Sequence, residues 1–112
     1  MQPNNQPPEF VHMIDRIQLP NSTPEERMER LRIEIRNQIK YLRRHVKTLK
    51  RACQGTNMAK ISDAAYNYNG TIYKLKKYLN QIKEFENPTL AVVNIINIAE
   101  ETIDKAWYEL NN

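Results

Sequence analysis

Met28, Leu31, Ile35, Ile39, Leu42, Val46, Leu49 and Cys53 follow one another at steps of three and four. Over about 30 residues this places them on a single stripe of one helix. A start signal, "STPEERM", stands ahead of the stripe. Thr23 can accept from the amide of Glu26 while the Glu26 side chain reaches back, and Pro24 at the first helical position gives up no hydrogen bond the helix needs. The helix is expected to begin at Pro24 and to be stopped by Gly55. After "QGTN", the residues Met58, Ile61, Ala65, Tyr68, Ile72, Leu75, Leu79, Ile82 and Phe85 repeat the same steps up to "ENP". Two long apolar stripes of matched length joined by a few residues must cover each other. They predict an antiparallel helical hairpin with arms roughly 45 Å long at 1.5 Å per residue. Gly70, inside the second arm, is expected to mark a bend or a close backbone approach.

A third helix is expected from Asn87 as cap and Pro88 as first residue. Its Leu90, Val92, Val93, Ile95, Ile96 and Ile98 are apolar nearly all round, which a surface helix of a monomer does not tolerate. Such a helix either sits centrally or contributes to self-association. A hairpin with one added helix leaves apolar area open, so a homodimer with Val92, Ile95 and Ile98 at its interface is expected. Beyond Glu100, the residues Ile103, Trp107 and Leu110 are expected to point inward. Residues 1–8, "MQPNNQPP", read as a disordered tail, and Glu9 to Ile17 as a short helix with Phe10, Met13, Ile14 and Ile17 on one side. The expected fold class is therefore all-α. A single domain over residues 9–112 holds the long hairpin, a third C-terminal helix and a short N-terminal helix, assembled as a dimeric four-helix-type bundle.

Composition narrows the function classes. Two Gly in 112 residues and 40% apolar residues suit a folded helical domain better than a sheet. No signal-peptide core opens the chain, and no apolar run approaches the roughly 20 residues a membrane span needs, so a soluble, cytoplasmic protein is expected. The single Cys53 cannot form an internal disulfide; it is expected in the core. One Cys and two His fit no metal-ligand spacing. His45 is expected in solvent among cations and His12 at the edge of the N-terminal helix. Two matches to the glycosylation sequon, at Asn21 and Asn69, are read as chance without secretion. There is no Ser/His/Asp set, Gly-rich phosphate loop or cluster of inward carboxylates, so no catalysis, cofactor, metal or small-molecule substrate is expected.

Charge is segregated. Residues 36–51, "RNQIKYLRRHVKTLKR", hold seven Lys or Arg and no acid. From Ile35 to Lys83 there are twelve of the 17 basic residues and one of the 13 acids, a net of +11. The flanks keep five basic and twelve acidic residues, a net of −7, so the overall +4 conceals the asymmetry. On the first arm, Arg36, Lys40, Arg43, Lys47 and Lys50 recur at steps of four and three with Arg44 and Arg51 beside them. At 100° per residue, their centre lies roughly 120° from that of the apolar stripe. Like charges at these spacings repel by a few tenths of a kcal/mol per pair, a standing cost that a polyanion would offset. The second arm adds Lys60, Asn67, Lys74 and Gln81 at seven-residue steps, expected opposite its own core, with Lys77 nearby. Lys and Arg reach phosphates, and Asn and Gln reach sugar and backbone oxygens, which is chemistry for backbone contact rather than base reading. A rigid face of about 45 Å matches the roughly 16 base pairs over which double-stranded RNA is read by shape. Single-strand binders usually offer aromatic platforms, and here Tyr66 and Tyr73 can be exposed whereas Tyr68 points to the core.

Two matched long helices, a break carrying Pro, and a third helix rich in branched aliphatics, with "KKYLNQIKEFENPTLAVV" at the join, resemble the RNA-silencing suppressor proteins of insect nodaviruses. The resemblance covers roughly Pro24 to Ile98. It implies a homodimeric four-helix bundle in the host cytoplasm that lies along double-stranded RNA without reading sequence and shields it from processing. The basic and polar residues of the two outer faces would then carry binding. The chain departs from the family in its longer third helix and heavily basic first helix. A different reading stays open, a helical adaptor whose basic arms bind an acidic protein surface. An anionic membrane surface is disfavoured, because the basic arms lack Trp or Phe to insert.

Overall fold

The computed structural model describes residues 22–112, and the expected tail and short N-terminal helix lie outside them. Three helices make up the described residues: α1 (Pro24–Ala52), α2 (Met58–Ile82) and α3 (Leu90–Leu110). The first begins where its capping box predicts. The Thr23 amide donates to Glu26 Oε1 at 2.8 Å and the Glu26 amide to Thr23 Oγ1 at 3.1 Å. Glu25 and Glu26 in the first turn and Lys50 and Arg51 in the last complement the helix dipole at both ends.

The end of α1 departs from expectation. The helix closes at Ala52, and the cap residue Cys53 has right-handed backbone angles. Gly55 does not adopt the left-handed conformation of a glycine stop; its amide donates to the Ala52 carbonyl at 3.0 Å and continues the turn. Asn57 then caps α2 by accepting from the Lys60 amide. The third helix starts later than Asn87 and Pro88. Thr89 is its cap, with extended backbone and a hydroxyl that accepts from the Val92 amide at 3.2 Å.

Helix α1 is the central element: α2 and α3 both pack along it and touch each other little. The predicted stripe of Met28, Leu31, Ile35, Ile39, Leu42, Val46 and Leu49 is buried. Cys53 is exposed instead, because the stripe has there outrun its cover; the first turn of α2 stands clear, with Met58 72% exposed.

On α2, Leu75, Leu79 and Ile82 are buried as expected, but in the N-terminal half the buried positions are Ala64 and Thr71. Ile61, Ala65, Tyr68 and Ile72 are half-buried on the flank. Small side chains on the line of closest approach let the two backbones come together, and the larger neighbours are displaced to the side. The Thr71 hydroxyl donates to the Asn67 carbonyl at 3.0 Å, which lets it sit in an apolar contact. Gly70 has open space around it and right-handed backbone, so it marks no close approach within the chain.

Helix α3 follows the same rule. Val92, Ile95, Ala99, Thr102 and Ala106 form its buried row, and Thr102 donates to the Ile98 carbonyl. Trp107, expected inward, is 63% exposed because Ala99, Thr102 and Ala106 hold the contact line. Val92 is 1% exposed and Ile95 is also buried, both within this chain's own core. Of the three residues expected to meet a second copy, only Ile98, 42% exposed, faces outward. Leu90 and Val93 are also exposed on α3.

Candidate nucleic-acid interface

The seven cations of the first arm, Arg36, Lys40, Arg43, Arg44, Lys47, Lys50 and Arg51, are all exposed. Their exposure follows from spacing alone, since each lies outside the arc taken by the buried residues of α1. Arg32 pairs with Glu29 and Lys83 with Glu100, and among the described residues none of the seven takes part in an ion pair. Arg44 lies over the Tyr41 ring, 5.8 Å from its centroid, which steadies the guanidinium without neutralising it. His45 is partly buried at the edge of the α1 packing face, not free in solvent.

The second-arm row is not opposite its own core. Lys60 and Asn67 each precede a buried residue, Ala64 and Thr71, by four positions, about 40° round the helix. The shift of the core line to those small residues therefore turns the row toward α1. Lys60 and Asn67 meet Arg51 and Thr48 across a groove of about 550 Å³ at the hairpin turn, with Asp63 on the same wall. Lys74 is exposed farther along, whereas Lys77 and Gln81 are partly covered.

The other side of the stripe has a different electrostatic neighbour. Arg43 and Lys47 line a groove of about 240 Å³ with Glu101, Lys105 and Glu109 of α3. On the far side of α2, Lys76 and Lys83 face Glu100 and Asp104 of α3 in a further groove, and Lys83 pairs with Glu100. The acids that the sequence places in the C-terminal flank thus border both the α1–α3 edge and the α2–α3 edge. The unneutralised positive surface that remains is the outer face of α1 and the α2 flank beside it. An anion approaching the molecule would be drawn to that surface rather than to α3.

Tyr66 and Tyr73 are exposed on α2, as expected. Tyr68 and Tyr78 are half-buried, and burial raises both phenols above their ordinary range, with the Glu34 carboxylate adding to the effect at Tyr78. Among the described residues there is no cluster of metal-ligating side chains, and no helix is long and apolar enough to cross a membrane. Sequence periodicity missed Lys105 and the acids facing the basic stripe, because a single helix carries no signal for which neighbour will lie beside it. No protein-family model, curated protein or solved structure matches the chain.

Proposed function

We propose that the protein binds double-stranded RNA without reading its sequence, through the outer face of α1 and the adjoining flank of α2. The observation that carries this is the continuous run of seven exposed cations on α1 with no ion-pair partner among the described residues. At 29 residues α1 is about 43 Å long, the span of roughly 16 base pairs of A-form duplex. Exposed Lys60, Asn67 and Lys74 widen the face, adding two cations and an amide suited to phosphate and sugar oxygens. Binding is non-enzymatic, and shielding of duplex RNA from processing, as in viral suppressors of RNA silencing, is the role this activity suits. A homodimer belongs to the same reading: Leu90, Val93 and Ile98 leave apolar surface of α3 open to a second copy.

A second reading rests on Glu101 and Glu109 beside Arg43 and Lys47. Adjacent zones of opposite charge suit docking onto an acidic protein surface or a neighbouring copy. Fluorescence anisotropy with a labelled duplex RNA of about 20 base pairs, competed by DNA duplex and by single strands, separates the two. Tight binding that prefers the RNA duplex, with log affinity falling against log salt by about 0.7 to 0.9 per phosphate contact, is the expected result. Absence of binding at low salt would replace this reading with the protein partner, and equal DNA binding would remove the preference for A-form geometry.

A further inference from the structure

We infer that the groove at the hairpin turn holds a terminal nucleotide bearing a 5′-phosphate, so that the protein grips the end of a duplex as well as its side. This deepens the duplex-binding reading and rests on it for the origin of the nucleotide. The groove is where the two arms bring polar side chains together across open space. Lys60, Asp63 and Asn67 at steps of three and four line one wall, and Thr48 and Arg51 line the other. Ala52 and Ala64 contribute only methyl groups to the lining. That leaves a volume of about 550 Å³, within the range of small-molecule sites and ample for one nucleotide.

The chemistry of the walls divides by ligand part. Arg51 and Lys60 come from different helices, and among the described residues neither has an ion-pair partner. A phosphate monoester carries more charge than an internal phosphodiester, so two cations lining one groove from different helices favour a terminal phosphate over the backbone. Asp63 is the sole acid between Ile35 and Lys83. A carboxylate would weaken a site meant only for phosphate, but it accepts well from ribose hydroxyls or a base amino group. The mixture of cations, carboxylate, amide and apolar lining fits a whole nucleotide better than a bare anion. The location fits too, since the groove lies at the end of α1 where the basic face terminates.

The test compares blunt 20-base-pair RNA duplexes with 5′-phosphate and with 5′-hydroxyl ends by anisotropy, and follows cytidine 5′-monophosphate and inorganic phosphate by amide NMR on the full chain. The expected result is about tenfold tighter binding of the phosphorylated duplex, the scale of one charge-assisted contact. The nucleotide should shift the amides of Thr56, Asn57 and Lys60, and inorganic phosphate should do so more weakly. Ala52→Met preserves every charge while occupying the groove, and should bring the two duplexes to equal affinity. Duplex binding with no preference for the phosphorylated end overturns the groove assignment and leaves the side face standing. Nucleotide shifts at the turn in a chain that binds no duplex sustain the groove and refute the duplex reading. Shifts confined to the Arg36–Lys47 stretch overturn the assignment. Should Ala52→Met fail to fold, the wild-type comparison decides.

Discussion

Lys47→Gln is expected to make the free protein more stable and the complex weaker. Lys47 has four like-charged neighbours on α1 at spacings of three and four, namely Arg43, Arg44, Lys50 and Arg51. Each such pair costs about 0.2–0.5 kcal/mol at low salt. Attraction to Glu101 and Glu109 across the α1–α3 groove offsets part of that, and neither carboxylate forms an ion pair with it. The net relief is about 0.5–1 kcal/mol, which in a domain of this size raises Tm by about 4 °C. Gln matches Lys closely in helix propensity, so the change isolates charge. Thermal melts by circular dichroism at low ionic strength should show the rise. The gain should disappear near about 0.5 M salt, where screening shortens the reach of charge to a few Å. In the duplex assay, the same variant should lose about one contact's worth of salt dependence. A lower Tm at low salt would refute the reasoning, since it would mean that α3 neutralises the stripe and that no self-repulsion awaits a polyanion.

Gly70→Ala should stabilise the chain by about 0.5–1 kcal/mol in urea titration, because the backbone there is right-handed and an added methyl group meets nothing. Gln38 is 7% exposed and its amide has no hydrogen-bond partner among the described residues, so Gln38→Met should add about 1 kcal/mol by the same measurement. The Glu26 carboxyl is held below its ordinary value of 4.5, first by the hydrogen bond from the Thr23 amide. A depressed carboxyl contributes stability in full above its unfolded pKa and loses it as pH falls through the lower folded value, so melts below pH 4.5 should decline. Glu26→Gln, which can still complete the capping box, should flatten that part of the profile. Ile98→Asp should split the proposed homodimer into monomers in light scattering with helicity unchanged, and a wild-type mass of one chain would refute that dimer; Ile95→Asp should unfold the chain, since Ile95 packs in its own core.

Much of the α1 reading came directly from its residues. The Thr23–Glu26 capping box, the apolar row from Met28 to Leu49 and the exposure of Arg36 to Arg51 are consequences of a period of 3.6 applied to a long amphipathic stretch, and they hold whatever packs against it. The α2 and α3 rows were misjudged where large residues were preferred to small ones. Periodicity counts hydrophobicity, but contact between helices is decided by how closely backbones approach, and Ala64, Thr71, Ala99 and Ala106 allow the closest approach.

Local sequence therefore determined that the chain is helical, where α1 and α2 begin, and that one arm carries an exposed run of positive charge. Tertiary structure decided which side chains each helix buries. It turned Lys60 and Asn67 toward Arg51 across one groove, set Glu101 and Glu109 beside Arg43 and Lys47 in another, and sent Val92 and Ile95 into the chain's own core. Capping and periodicity act within about one turn of a helix, where a sequence can be read directly. Neighbours across a groove are fixed by the packing of three helices at once, a balance of shape and volume that no single stretch of residues contains.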